Sequence, residues 1–424
     1  MRSKAVLLAL AATAAVSATR VSAQTTGQTR VPCDRQTAGL TLPAGFCAVV
    51  VADSAGSLRH VVVRPNGDIF AARRTGGVLA LRDTTGDGSA DVRAEFGDNR
   101  GTGIAIRGED LYVALNDVIV RYRVPQGALR PVSGPDTVVR DLPANRSHTP
   151  KSIALGEGNQ LFVNIGSPSN SCQERDRQPG VPGLNPCPEL ETRAGIWVFD
   201  ASKPGQTMAD GRRWATGIRN AVGITYEPGR GLYAAQHGRD GLFQQWGNLF
   251  NEKQSAEKPA EIVMHVREGD DYGWPYCYYD PETQKHVLAP EYGGNGVRQD
   301  RCANVKQPLA AFPGHWAPNA IAVYNGTQFP EPYRGGLFIA FHGSWNRAPL
   351  PQGGYNVAFL PLRNGAASGE GQVFADGFAG VYPLLQPRDA KYRPSGLAVG
   401  PDGSLYISDD QGGRLWRVFW RGSR

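Results

Sequence analysis

Apolar residues along this chain fall in short runs, with no long stretch at the three-and-four spacing of an amphipathic helix. Many runs alternate with polar positions and stop at Gly, Pro, Asn or Asp, as half-buried strands and their turns do. One pattern recurs: a strand, a tight turn, and a second strand carrying an aromatic. It is plainest at Val61-Val62-Val63-Arg64-Pro65-Asn66-Gly67-Asp68-Ile69-Phe70 and at Gly396-Leu397-Ala398-Val399-Gly400-Pro401-Asp402-Gly403-Ser404-Leu405-Tyr406. Variants lie at 104–112, 153–162, 224–233 and 321–338, so Phe70, Tyr112, Phe162, Tyr233, Phe338 and Tyr406 mark six units. A third β-like run follows most of these anchors, at 77–81, 118–122, 195–199 and 414–418. Six repeats of antiparallel strands predict an all-β fold, a six-bladed β-propeller with four-stranded antiparallel blades. The run Phe46-Cys47-Ala48-Val49-Val50-Val51 can close the last blade and remove its free edge. The unequal spacing of the anchors places long loop insertions near 168–192 and 244–310.

The 53 glycines and 31 prolines among 424 residues fit a turn-rich fold. So long a chain would ordinarily divide into domains, but repeats escape that limit because each unit buries its own layer, so 24–424 is expected to form a single propeller domain. Residues 1–23 read as a signal peptide, with Arg2 and Lys4, an apolar stretch at 5–16, and a small-residue cleavage site at Val21-Ser22-Ala23. A periplasmic or secreted protein starting near Gln24 is expected. No other run approaches the roughly 18 apolar residues of a membrane span. The formal charge is +6, of which Arg2, Lys4 and Arg20 supply three, so no footprint for nucleic acid remains. Six cysteines in an oxidising compartment suggest disulfides, and proximity favours Cys33–Cys47, Cys172–Cys187 and Cys277–Cys302, although about 15 pairings are possible. There is no C-x-x-C-H for a haem, so electrons would leave to an external acceptor.

Aligning the units shows what precedes each inner strand: Ser147-His148-Thr149-Pro150, Ile218-Arg219-Asn220-Ala221, His315-Trp316-Ala317-Pro318 and Lys391-Tyr392-Arg393-Pro394. In an antiparallel pair, the start of the first strand and the end of the second lie on one side. Gly166-Ser167, Gln236-His237-Gly238-Arg239-Asp240 and His342-Gly343-Ser344-Trp345-Asn346-Arg347 therefore share that face. A single polar loop residue is usually just solvated. Cations at equivalent places in several blades, however, would repel one another unless an anion sat among them, which points to a site for a flat anionic ligand.

These stretches resemble the soluble quinoprotein glucose dehydrogenase and sorbosone dehydrogenase family over essentially the whole mature chain. The likeness is carried by Ser147-His148-Thr149-Pro150, Gly217-Ile218-Arg219-Asn220, Gln236-His237-Gly238-Arg239, Asp271-Tyr272-Gly273-Trp274-Pro275 and Lys391-Tyr392-Arg393. The Phe341-His342-Gly343-Ser344-Trp345-Asn346-Arg347 stretch is closer to the sorbosone branch. The resemblance implies oxidation of a sugar or sugar-derived aldehyde or alcohol by hydride transfer to pyrroloquinoline quinone (PQQ), with calcium as Lewis acid and a quinone or cytochrome as external acceptor. It makes His148 the general base and places Arg219, Asn220, Lys391 and Arg393 against PQQ. It also maps the two calcium-binding carbonyls onto Gly238 and Arg239.

Ser167 stands where the family has an acidic partner for the histidine, and a lysine that the glucose enzymes use has no match, leaving His342 or Arg347 to substitute. His315 and Trp316 either line the substrate pocket or pack on their blade. Asp83-Thr84-Thr85-Gly86-Asp87-Gly88-Ser89-Ala90-Asp91 resembles a calcium loop without its terminal glutamate, and reads better as a hairpin turn. Asn145-Arg146-Ser147 and Asn325-Gly326-Thr327 fit the glycosylation sequon. Two rival functions remain. A calcium-dependent lactonase would need acidic ligands such as Asp240 and Asp409, and a non-catalytic binding propeller would bind no quinone.

Overall fold

The structure is a computed structural model that describes Met1 and residues 31–33, 38–144 and 146–422. The proposed signal peptide lies outside the described residues, apart from Met1, as does Asn145 of the first sequon. Six four-stranded antiparallel sheets form the blades of a β-propeller, as the repeat predicts. Their inner strands are Leu58–Val63, Gly101–Arg107, Ser152–Leu155, Gly223–Glu227, Pro318–Val323 and Pro394–Val399, and each lies beside the next around a ring. The sixth blade takes its outer strand from the start of the chain: Phe46–Ala52 pairs with Leu415–Trp420 in a register running from Phe46↔Trp420 to Ala52↔Leu415.

The recurring turn has a simple physical cause. In the first blade Asn66-Gly67 reverses the chain, with Gly67 at φ +88° and Arg64 N donating to Asp68 O at 2.8 Å. In the sixth, Gly403 at φ +81° follows Asp402, and Gly400 N donates to Ser404 O at 2.8 Å. Glycine adopts this left-handed conformation at no steric cost, so the dipeptide fixes hairpin and register together.

Each interface between neighbouring blades carries its own apolar cluster, so the ring is six adjoining cores. The cluster between blades five and six is the most aromatic. Phe46 of the closing strand stands there edge-on to Phe329 at 4.8 Å and to Phe374 at 4.9 Å.

Three disulfides join Cys33–Cys47, Cys172–Cys187 and Cys277–Cys302, the sequence-local pairing. The 168–192 excursion lies between the second and third strands of blade three and buries Ser169, Asn170 and Gln173. The 244–310 stretch departs from the expected insertion, because it contains the third strand of blade four, Glu261–Val266. Two short helices precede that strand, and the Cys277–Asp280/Lys285–Leu288 hairpin follows it. Its length masked a blade strand that has no aromatic anchor of its own. The Asp83 loop is a hairpin turn in which the Asp83 carboxylate accepts from the loop's own Gly86 and Gly88 amides, each at 2.7 Å. No helix among the described residues is long and apolar enough to cross a membrane.

Candidate active site

The second halves of all six inner strands line an axial channel of about 330 Å³ through Val61–Val63, Ile104, Ile153, Ile224, Ile321 and Leu397. Their opposite ends open on the mouth, where the loops that precede the inner strands meet those that follow the second strands.

His148 enters this mouth on a backbone at φ +54°. Its Nδ1 lies 2.7 Å from the Ser167 main-chain oxygen and 3.2 Å from Ser167 Oγ. A carbonyl only accepts, and Ser167 Oγ gives its own proton to Ser169 O at 2.6 Å, so Nδ1 carries the hydrogen. Nε2 then bears the lone pair and has no hydrogen-bond partner among the described residues. The serine at the family's acidic position thus orients the ring through its backbone. Burial, with the charge of Arg219, pulls the imidazole down to about 3, so His148 is a neutral base near pH 7.

Arg219 and Asn220 come from the loop before blade four. Both are buried, and Gly166 sits so close that a Cβ there would lie 2.6 Å from His148 Cβ and 2.7 Å from Asn220 Oδ1. Arg219 is fully engaged: its guanidinium donates to Gly238 O at 2.8 Å, Asn170 Oδ1 at 3.0 Å and Asp240 Oδ2 at 3.1 Å. Asp240 also accepts from Arg177 at 2.7 Å and Asn346 at 2.9 Å. Burial alone would raise its pKa, but Arg219, His315 and Arg177 outweigh it and hold the carboxyl well below the usual range.

At the candidate calcium turn, Gly238 N donates to Glu261, whose carboxyl burial pushes up to about 8. The Arg239 side chain turns away from the mouth into a buried pair with Glu291, Nη1 donating at 2.6 Å and 2.5 Å, while Trp246 Nε1 donates to Glu291 at 2.9 Å. An arginine is therefore compatible with this position because its charge is neutralised elsewhere.

Across the mouth, His342 Nε2 lies 2.7 Å from Asp410 Oδ1, and Arg59 Nη1 lies 3.3 Å from Asp410 Oδ2. Arg393 donates to the carbonyls of His342 at 3.0 Å and Gly343 at 2.7 Å. The predicted gathering of histidines and arginines around one mouth is therefore present from His148 to Arg393. These cations do not need a bound anion to offset their repulsion, contrary to the expectation from sequence, because the chain supplies its own anions in Asp240 and Asp410.

The other expected residues sit further out. Lys391 is exposed on the rim, its Nζ 5.3 Å from the Tyr392 ring centroid. Arg347 ties loops together by donating to Ala256 O at 2.9 Å and Gly314 O at 2.8 Å. His315, by contrast, is buried within the Asp240 network, with Nε2 on Ser255 O at 2.8 Å and Nδ1 3.5 Å from Asn346 Nδ2 and 3.8 Å from Asp240 Oδ1. Trp316 packs edge-on to Phe341 at 5.2 Å and lines a crevice of about 870 Å³ between blades four and five, which places it off the axis and favours packing on the blade.

Two residues of the network went unread in the sequence. Arg59 lies inside the inner strand of blade one (Leu58–Val63), whereas Arg219 and Lys391 precede theirs, so an alignment of the residues ahead of the inner strands passes over it. Asp410 directly follows the second strand of blade six as His342 follows that of blade five, and its neighbour Asp409 is the last residue of that strand. The Asp409 carboxylate accepts the amides of Arg393 at 2.5 Å and Gly412 at 2.7 Å. With Asp240 committed as well, neither acid that a calcium-dependent lactonase would need is free.

The TrAA12-like family profile matches residues 40–420. The chain belongs to that family. The kinship with soluble PQQ-dependent sugar dehydrogenases expected from the sequence is borne out. A PQQ-dependent pyranose dehydrogenase of Coprinopsis cinerea is 28% identical over 266 residues, covering 53% of this chain and 34% of the relative. An uncharacterised protein of Borreliella burgdorferi is also 28% identical, over 66% of this chain and 63% of its own length. The chain thus spans about a third to somewhat under two thirds of these curated relatives. Among solved structures, the holo PQQ domain of the Coprinopsis cinerea pyranose dehydrogenase superposes with a TM-score of 0.73 at 19% identity, covering 92% of this chain and 98% of that one. The calcium structure of the Trichoderma reesei family AA12 enzyme gives 0.73 at 20% identity, covering 93% and 99%. At these identities the superpositions establish the fold.

Proposed function

We propose that the protein is a PQQ- and calcium-dependent oxidoreductase that oxidises a pyranose sugar or a sugar-derived aldehyde or alcohol and passes electrons to an external quinone or cytochrome. Family membership supports the class, and the observation that carries the mechanism is the tautomer of His148. Its Nδ1 proton is fixed on the Ser167 carbonyl, so Nε2 faces the mouth as a lone-pair base.

The donor set suits a flat polycarboxylate. Arg59 Nε is buried without a hydrogen-bond partner, and Arg393, Asn220 and the rim cation Lys391 complete the groups that would hold PQQ. The carbonyls of Gly238 and Arg239 would hold calcium, a hard ion that takes oxygen ligands. Gly238 O gives one lone pair to Arg219 and keeps another, and Asp240 balances the arginine beside it. Bound there, PQQ with its calcium supplies a two-electron acceptor next to the base. His148 Nε2 takes the proton of the substrate hydroxyl, and burial, aided by Arg219 fixed on Asp240 and Asn170, keeps that imidazole neutral beforehand. The three disulfides suit an exported protein acting in the periplasm or outside the cell.

The test is dye reduction with a panel of aldoses after adding PQQ and calcium to the purified protein. His148→Ala should keep quinone affinity and lose turnover by about 10²- to 10⁴-fold, whereas Lys391→Ala should weaken quinone retention first. A protein that turns over sugar without quinone or metal, or that never binds quinone, overturns the proposal.

A further inference from the structure

We infer that His342 and Asp410 form a second proton-accepting dyad at the mouth, whose His342 Nδ1 receives the proton set free as electrons leave the site for the external acceptor. This rests on the oxidoreductase reading above. Converting H–C–O–H to C=O releases two electrons and two protons. One proton leaves the hydroxyl to His148. The other departs from carbon with the electron pair, and is released only when that pair passes to an acceptor that takes electrons without protons, such as a cytochrome. A buried mouth therefore needs a second base, and that base must also be able to shed its proton to water.

The geometry supplies one. His342 directly follows the second strand of blade five (Leu337–Phe341), and Asp410 directly follows that of blade six (Leu405–Asp409), so both stand at the mouth. Asp410 is buried and ionised, because His342 and Arg59 outweigh the burial that would otherwise protonate it. An ionised carboxylate only accepts, so His342 Nε2, 2.7 Å from Asp410 Oδ1, carries the hydrogen and Nδ1 bears the lone pair. Nδ1 has no hydrogen-bond partner among the described residues. The backbone around the ring is fixed on both sides, by His342 N donating to Ala317 O at 2.9 Å and by Arg393 Nε donating to His342 O at 3.0 Å.

The two histidines differ in what stands behind them. His148 is backed by a neutral carbonyl and faces Arg219, so it cannot keep a proton. His342 is backed by a carboxylate in direct contact, which favours its charged form. Burial, with the cations Arg393 and Arg59, outweighs that carboxylate and holds His342 below its ordinary range, so the ring stands neutral with Nδ1 open; His237 is the remaining titratable group facing it. The balance leaves His342 an acceptor that can take a proton and give it up.

Two measurements test the dyad. In the protein reconstituted with PQQ and calcium, stopped-flow spectroscopy separates reduction by sugar from oxidation by ferricyanide, which takes electrons without protons. His342→Gln and Asp410→Asn should slow oxidation relative to reduction by roughly 10²-fold. In the cofactor-free protein, NMR titration should show the His342 midpoint falling by about one pH unit or more in Asp410→Asn. Equal slowing of both half-reactions, or an unmoved His342 midpoint, overturns the dyad. A wild-type protein whose bound quinone is never reduced by sugar instead overturns the underlying oxidoreductase reading.

Discussion

The close approach at Gly166 makes a demanding prediction. A methyl group there would lie 2.6 Å from His148 Cβ and 2.7 Å from Asn220 Oδ1, whereas carbon atoms in contact settle at about 3.5 Å or more, so something must move by about 1 Å. Asn220 yields poorly, because its Oδ1 is pinned by Asn164 Nδ2 at 3.1 Å. His148 meets the intruder at the root of its side chain, so the ring shifts with its backbone and Nδ1 leaves the Ser167 carbonyl. Overpacking of this kind costs about 1–3 kcal/mol of stability, which a folded propeller tolerates. A misplacement of about 1 Å at a reacting group costs about 10²-fold in rate. Gly166→Ala should therefore melt only slightly below the wild type and bind PQQ with modestly reduced affinity, while kcat in the dye assay falls about a hundredfold. A folded Gly166→Ala enzyme that turns over at the wild-type rate would refute the placement of His148 as the base.

Other consequences follow from the packing and the buried charges. Glu291→Gln leaves Arg239 as a buried cation without its carboxylate, so urea unfolding should show a loss of about 3–5 kcal/mol, more than for the double replacement of Arg239 and Glu291 by apolar residues. Phe46→Ala removes the ring that locks the closing strand into the aromatic cluster, and should cost about 3–5 kcal/mol by the same assay. Acid stability carries a histidine signature. Burial holds His60 and His286 at about 4, below the unfolded value of about 6.5, so the unfolded chain binds more protons between those limits. Each histidine's contribution is complete above about pH 6.5 and declines by about 1.4 kcal/mol per pH unit as pH falls toward 4. Denaturation midpoints measured across that range should fall less steeply in His60→Asn, and an unchanged slope would contradict the assignment.

Much of the architecture was legible because it is written locally. Asn66-Gly67 and Asp402-Gly403 specify hairpins within a few residues, and repetition turns hairpins into blades. The closing strand could be found because a ring with one incomplete blade needs an edge to be filled. The site was legible as a place, since strand direction alone brings His148, Arg219 and His342 to one end of the ring. Its wiring was not. The pairs that set charge, such as Arg239 with Glu291 and His342 with Asp410, join residues 52 and 68 positions apart, which no local pattern links. Composition also emphasised the cations, because the acids that balance them are single residues at the ends of strands. The orientation of His148 by a main-chain oxygen leaves no mark in side-chain identity at all, so Ser167 looked like a loss where the backbone supplies the partner.

The most direct test is a crystal structure of the protein soaked with PQQ and calcium. PQQ bound in the mouth within contact of His148 and Asn220, with an anomalous calcium peak beside the Gly238 and Arg239 carbonyls, is the predicted result. A quinone found at the opposite end of the channel, or a mouth left empty at saturating quinone and calcium, would contradict it.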